Sequence, residues 1–395
     1  MRDYQLIIYG ATGFTGGLAA EYVLREYGSK IRWAVAGRSE SKLAALKLKL
    51  NDVPGVVIAD GGDEEALLKL AEATDAVATC AGPFSRYGTG LVKACAKAGT
   101  HYADITGETD WARQMICDYD DVARASGAKI VHFCGHDSVP WDLCTLMLHK
   151  KLKEKGDSLK EVDFYDEIKG QASGGTLETA MGILLGQDKK KASTLKFDPL
   201  LKTQSGEKSA SKTKTQNVNA VELFSDNKYG FSARSTFVMA GVNANVVKRS
   251  NALLNYGDIT YSEGTGHQSS VGAVFSFLGL ATFGAALFIP PIRYVLRSTV
   301  LPKPGEGPSQ EDMLQGYLRV TGVAKGYKGN TVACKMSFKV DAGYMDTARM
   351  VTEAALTLSL DNIDLPGGSY TPASCQGEHL LKRLCDTGST FEYLE

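Results

Sequence analysis

Gly10, Gly13 and Gly16 recur every third residue in Gly10-Ala11-Thr12-Gly13-Phe14-Thr15-Gly16, directly after the apolar run Leu6–Tyr9. Where a parallel strand ends and a helix begins, free backbone N–H groups and the helix dipole face an anion. Gly10 permits the tight turn, Gly13 lets the backbone approach a pyrophosphate, and Gly16 allows close packing of helix on strand. Thr12, Phe14 and Thr15 complete the candidate cradle. The GxxGxxG spacing is looser than GxGxxG, so a plain glycine-rich turn competes. Its place after the first strand of a regular βαβ series decides for a dinucleotide.

The second strand ends in Ala36-Gly37-Arg38-Ser39, with Lys42 one turn later. A site for NAD places an acid here to hold the ribose hydroxyls. Arginine instead offers a planar, permanently charged fork for a 2′-phosphate, and Ser39 adds a hydroxyl. The expected cofactor is NADPH. Asp60, closing the third strand, is read either as an acceptor for the adenine edge or as a loop aspartate without a ligand. Cys80, Ala81, Gly82 and Pro83 follow the fourth strand, where a rigid Gly-Pro turn flanks the nicotinamide ribose; Cys80 reads as a packed thiol.

Reduction also needs a proton source. Asp104 and Glu108 follow the fifth strand, and His136, Asp137 and Ser138 follow the sixth, all on the edge that binds the cofactor. His136 can titrate near neutral pH. Asp137 and Ser138 have a second reading as caps of a helix starting near Val139-Pro140. Ser173, Gly174, Gly175 and Thr176 precede a helix expected over 176–185, where exposed amides suit a substrate carbonyl or phosphate, or merely cap the helix. No Tyr-x-x-x-Lys pair stands where a short-chain dehydrogenase places one. The eight cysteines form no CxxC pair and no zinc-like spacing with histidine, so no metal is expected and the thiols read as reduced core residues.

The elements that must position these groups alternate regularly. Strand candidates are Leu6–Tyr9, Arg32–Ala36, Val56–Ala59, Ala76–Cys80, Tyr102–Ile105 and Ile130–Cys134, separated by helix-length stretches such as Ser41–Leu50, Glu64–Ala73 and Thr89–Ala98. That pattern predicts an α/β fold: an N-terminal Rossmann-type, doubly wound parallel sheet over 1–155. A strand at Val162–Lys169, two strands within 315–341 and a helix over Thr347–Leu360 indicate a second, α+β domain over 156–342. Residues 343–395 form a C-terminal segment.

Two segments depart from this pattern. Residues 187–217 carry eight lysines against three acids and read as a mobile, solvated loop. Residues 271–292 are 22 positions without a charge, followed by Arg293 and Arg297. That length can cross a bilayer core. Three glycines and Pro290-Pro291 interrupt a clean span. If the flanking elements belong to one domain, a single crossing is also forbidden. The expectation is a membrane-dipping hairpin or surface-lying segment, with a buried core helix as the alternative.

A formal net charge of -1 over 395 residues supplies no field for nucleic acid. The first apolar run is too short for a signal h-region, so no cleaved targeting segment is expected.

Residues 6–16 (LIIYGATGFTG), Ala34–Arg38 (AVAGR), Cys80–Phe84 (CAGPF), Tyr102–Glu108 (YADITGE) and Asp137–Asp142 (DSVPWD) closely resemble the saccharopine dehydrogenase-like oxidoreductases, which include the mycobacterial trans-acting enoyl reductases. The resemblance continues through Ser173–Thr176 (SGGT), Val246–Ser250 (VVKRS) and Gly367–Pro372 (GGSYTP). It implies a Rossmann domain, a mostly antiparallel α+β domain, and a C-terminal segment returning to the first. One departure is Asn243, where the family often has an acid. By analogy the resemblance implies an NADPH-dependent reductase of a C=C or C=O in a lipid or glycolipid precursor. Its expected setting is intracellular, on a membrane or lipid droplet reached through 271–292, with endomembrane or mitochondrial association and a homodimer open. An amino-acid reductase of the saccharopine type and a non-catalytic NADP(H)-binding lipid-droplet protein are the alternatives.

Overall fold

The computed structural model describes residues 2–51, 54–170, 211–218, 220–296 and 307–395. Ser173–Thr176, the helix expected over 176–185 and positions 187–210 of the lysine-rich segment lie outside them.

Strands β1 (Tyr4–Tyr9), β2 (Trp33–Gly37), β3 (Gly55–Ile58), β4 (Thr74–Thr79), β5 (His101–Asp104) and β6 (Lys129–Val131) build the first sheet, joined at its edge by Gly368–Tyr370. Every pairing is parallel, and the spatial order is 368–370, β6, β5, β4, β1, β2, β3. Leu6, Ile7 and Ile8 are wholly buried, as expected of a parallel strand covered on both faces. Helices α1 (Phe14–Glu26) and α2 (Glu40–Lys49) follow β1 and β2. Helices α3 (Glu64–Glu72), α4 (Phe84–Tyr87), α5 (Thr89–Ala98) and α6 (Thr109–Ser126) complete the winding, and α3, α5 and α6 pack in succession on one face.

From β6 the chain enters α7 (Val139–Glu154) and then the second sheet. This comprises β7 (Leu159–Lys169), β8 (Thr213–Asn217), β9 (Val221–Lys228), β10 (Phe231–Ser235), β11 (Ile259–His267), β12 (Tyr317–Gly326) and β13 (Thr331–Phe338), with a last strand at Thr390–Leu394 beside β13. Its pairings are antiparallel except where β11 runs parallel to β7 and to β8. Here the expectation of a loop through residue 217 is corrected. Thr213–Asn217 is a strand, held by backbone pairing to Ile259–Glu263, so its polar side chains carried no apolar alternation to reveal it.

Helix α8 (Ala240–Leu254) lies between β10 and β11. Helix α9 (Ser270–Phe288), α10 (Pro290–Val295) and α11 (Gln310–Leu314) lie between β11 and β12. α9 is long and apolar enough to cross a membrane, yet only 11% of its apolar window is buried. Ala273 and Leu287 are its buried residues, and Phe275 stands 72% exposed. A core helix would bury such a face, so that alternative is set aside. β11 and β12 flank β7 in one sheet, so the apolar segment leaves and rejoins the same body.

Residues 343–395 add α12 (Thr347–Leu360), α13 (Pro372–Cys375) and α14 (Gly377–Asp386), and give one strand to each sheet. Every residue of α12 from Thr347 to Leu358 is buried, against α1, β1, β4 and β5. Its polar groups are satisfied internally. Thr352 and Thr357 donate to carbonyls four residues back, and Glu353 accepts from the hydroxyls of Tyr22 at 2.6 Å and Tyr27 at 2.7 Å.

Candidate active site

The parallel strands place their carboxyl ends on one edge, and contacts link those ends in order. Gly10 has φ +79°, and a Cβ there would lie 2.9 Å from Ala81 Cβ, so the turns after β1 and β4 touch. A Cβ on Gly16 would lie 2.3 Å from the Gly10 carbonyl oxygen. Both positions therefore need glycine, one for conformation and closeness, the other for closeness alone. Gly13 caps α1 without any side-chain hydrogen bond, which leaves the first-turn amides open to an anion. Thr12, Gly13 and Phe14 also form one end of a cavity of about 950 Å³ that runs along α1 and α2.

Arg38 is exposed just beyond β2 and, among the described residues, forms no ion pair. Ser39 caps α2, its Oγ accepting from Lys42 N at 3.5 Å. Lys42 is exposed in the wall of the cavity beside Thr12. Asp60 is exposed past β3 and takes the Gly62 amide at 2.9 Å. A glycine cradle that a Cβ would fill, open helix amides and a guanidinium at the ribose position with no ion pair among the described residues fit NADP. Burial, with the charge of Asp104 adding, pushes the Cys80 thiol up to about 12, so it is no nucleophile at neutral pH. All eight cysteines are free thiols.

Glu108 serves the architecture. Its carboxylate accepts from Phe84 N at 2.7 Å and Ser85 N at 3.0 Å, tying the loop after β5 to the Gly82-Pro83 turn. Asp104 is fully buried, with His132 Nδ1 at 2.7 Å and the amides of Thr106 and Phe133 at 3.1 Å. The edge continues from Ile105 to Gly135, whose Cβ would lie 3.3 Å from Ile105 Cβ, and so to His136.

His136 is buried. Its Nδ1 lies 2.9 Å from Asp137 Oδ1, its backbone N–H donates to Thr347 Oγ1 at 3.0 Å, and its Nε2 has no partner among the described residues. Ser138 occupies the N-cap position just before α7, but its hydroxyl donates to the Asp137 carbonyl at 2.7 Å and does not cap the helix. Asp137 likewise faces His136. The capping reading of both side chains therefore fails locally.

Around His136 the second sheet, α7, α8 and the stretch before α12 contribute groups to which the sequence reading gave no role at the site. Trp141 packs edge-on to His136 and donates Nε1–H to Asp166 Oδ1 at 2.9 Å. Glu263 accepts from Asn243 Nδ2 at 2.7 Å and from the Tyr261 hydroxyl at 2.6 Å. Asp341 and Asp346 lie within electrostatic range of His136, and burial raises both carboxyls. A signal was present in the sequence. Val162-x-Phe164-x-Asp166 and Tyr261-x-Glu263 each put an acid on an otherwise apolar strand face. Buried atoms on His136, Asp166, Asn243 and Asp346 that have no partner among the described residues mark this as a place built for more than packing.

The remaining shared motifs meet elsewhere. Asp142 of the DSVPWD stretch accepts from Ser250 of VVKRS and from the Ala373 amide just past GGSYTP, while Arg249 Nη2 donates to the Ser369 carbonyl at 3.0 Å. That joint locks α7, α8 and α13 together.

Residues 6–131 match the family model described as the saccharopine dehydrogenase NADP binding domain. A putative trans-acting enoyl reductase of Mycobacterium tuberculosis is 35% identical over 416 residues, covering 99% of this chain and 97% of that one. The trans-acting enoyl reductase of Mycobacterium ulcerans is 34% identical, with 98% and 97% covered. Among solved structures, the apo saccharopine dehydrogenase (L-Glu forming) of Saccharomyces cerevisiae superimposes with a TM-score of 0.55 at 12% identity, over 99% of this chain and 100% of that one, a likeness of fold. The chain is an NADP-dependent oxidoreductase and belongs to the saccharopine dehydrogenase-like family, alongside the trans-acting enoyl reductases.

Proposed function

We propose that this oxidoreductase reduces a C=C or C=O bond in a lipid or glycolipid precursor at a membrane or lipid-droplet surface. The observation that carries this reading is α9. Its apolar side chains are exposed, and it emerges from β11, the strand that brings Glu263 to the cluster at His136. A soluble substrate requires no such surface, whereas an apolar substrate resides where this helix would insert. The relatives' name, enoyl reductase, supports the C=C form of the reaction.

NADPH, when bound, supplies the hydride. The chain must then bind its phosphates through Gly10–Gly16 and Arg38, and deliver a proton from the side of the site where His136 and Asp137 pair. The amino-acid alternative expects arginines around the substrate carboxylates. The carboxyl groups of Asp137, Asp166, Glu263, Asp341 and Asp346 gather near His136, and the nearby Arg349 is committed to Asp346 at 2.7 Å.

The test is anaerobic NADPH oxidation against fractionated lipids, with mass spectrometry of the products. A product heavier by two hydrogens supports the reading. Oxidation driven by an amino acid, or by no fraction while NADPH still binds, transfers the assignment to the amino-acid or the non-catalytic alternative. Flotation with lipid droplets or endomembrane vesicles tests the location separately.

A further inference from the structure

We propose that Asp166 is held as a neutral carboxylic acid whose proton bridges to Glu263, and that this pair is the proton store for the reduction, refilled from water through Asp137 and His136. The proposal rests on the reductase reading above and adds the proton source that reading leaves open.

β7 and β11 run in parallel register, with Phe164 opposite Glu263 and Asp166 opposite Thr265. The two-residue period of a strand therefore puts both acids on one face. Both are buried, Asp166 at 0% and Glu263 at 2% exposure, and within hydrogen-bonding reach of each other. Two adjacent buried carboxylates cannot both ionise. The supply of donors decides which keeps the charge. Both Glu263 oxygens already accept, from Asn243 and Tyr261, whereas Asp166 has Trp141 on Oδ1 and, among the described residues, nothing on Oδ2. A proton on Asp166 Oδ2, donated to Glu263, removes that vacancy in the hydrogen bonding. Burial raises both acids; the shared hydrogen bond raises Asp166 further and opposes the rise at Glu263.

The surrounding charges leave this assignment intact. Arg234, the cation that acts on Asp166, is committed to Glu222 at 2.6 Å and Asp163 at 3.4 Å. Burial raises the Tyr261 hydroxyl and, farther off, the Asp142 carboxyl, and Asp341 and Asp346 lie within electrostatic range of His136. His136 connects the pair outward. Trp141 packs edge-on to it and donates to Asp166, the His136 Nδ1 meets Asp137, and the Asp137 side chain is 40% exposed. In the balance of the reaction, one hydrogen of the product arrives as hydride and the other as a proton. The pair releases that proton, gains one negative charge, and recovers the proton from water.

Infrared titration of the chain without substrate tests this directly. The expected result at neutral pH is a carbonyl stretch from a protonated carboxyl that is lost in Asp166→Asn and retained in Asp142→Asn. Its deuterium exchange should slow on His136→Phe. Should Asp166→Asn fail to fold, Glu263→Gln must shift the same band, because its acceptor has changed. A neutral-pH spectrum without the band, or a band indifferent to both variants, overturns the proposal. With a reducible lipid in hand, Glu263→Gln should slow reduction on the order of 10²-fold and flatten its pH profile while NADPH affinity holds. Reduction without the infrared band sinks this proposal alone. A band with no reduction of any lipid sinks the reductase reading and the pair's role in it, leaving only the neutral acid.

Discussion

Ser250 and Asp142 lie 108 residues apart in sequence, yet the Ser250 hydroxyl donates to Asp142 Oδ1 while the Ala373 amide donates to Oδ2 at 2.8 Å. One buried carboxyl thus joins α7, α8 and the start of α13. Desolvation raises its pKa to about 7, against the lowering pull of Ser250, Ala373 and Thr371.

That shift has a sign in stability. The folded pKa lies above the unfolded one, so the native state binds the proton more tightly. The contribution is complete below the unfolded value of 3.8 and is lost as pH rises to about 7. Urea unfolding should show stability falling across that window by up to about 1.4 kcal/mol per pH unit from this group. Asp142→Asn, which imitates the neutral acid, should remove that share of the slope at little cost at low pH. Asp166 and Glu263 slope the same way, so some dependence must remain. An unchanged slope in Asp142→Asn would falsify the assignment.

How much of this was legible beforehand differs by element. The parallel strands announced themselves because Leu6–Ile8 and Ala34–Ala36 are continuous apolar runs closed by glycine or arginine. Thr347–Leu360 was readable for its length and apolar content, and it occurs with those bounds. β8 and the strand at Gly368–Tyr370 were invisible. Thr213–Asn217 is polar and held by backbone pairing, and a three-residue edge strand carries no periodicity. At the site, the glycine cradle could be read from local spacing alone. The carboxyl pair could not, because Asp166 and Glu263 become neighbours only through a parallel register that nothing in either strand specifies.

The cradle itself can be tested with a control two residues wide. Gly16→Ala places a methyl 2.3 Å from the Gly10 oxygen, and Gly17→Ala places one 3.7 Å from its nearest neighbour. The first should shift α1 away from β1, cost about 1–3 kcal/mol and abolish NADPH binding. The second should bind NADPH as the parent does. Fluorescence titration and thermal unfolding read both, and equal behaviour of the two would remove the cradle from the argument.

Arg38 decides between the two nicotinamide cofactors. It is exposed without an ion pair among the described residues, so its removal leaves no stranded partner and stability should change by under about 0.5 kcal/mol. A charge-assisted contact to the 2′-phosphate is worth about 1.5–3 kcal/mol. Arg38→Asp should therefore weaken NADPH binding by roughly 10- to 100-fold and leave NADH little changed. Equal losses for both would refute the phosphate role.

The surface of α9 offers the sharpest separation between a lipid contact and a packing role. Phe275 and Leu278 are 72% and 49% exposed, so in water their replacement removes almost no contact made by the chain itself. Phe275→Ser with Leu278→Ser should leave the unfolding midpoint within about 1 °C, since exposed substitutions usually stay within about 0.5 kcal/mol. On a bilayer the same two side chains would each lose about 1.5–3 kcal/mol of burial. Flotation with phospholipid vesicles should therefore fall on the order of 10²-fold or more for the double variant. β11 and β12 both flank β7, so a surface-lying or dipping segment predicts one further asymmetry. Protease sites engineered just before α9 and just after α11 should be cut from the same side of a sealed vesicle. Cleavage from opposite sides would mean that the segment crosses, which the shared sheet does not permit. Unchanged flotation would return α9 to a contact with protein instead of lipid.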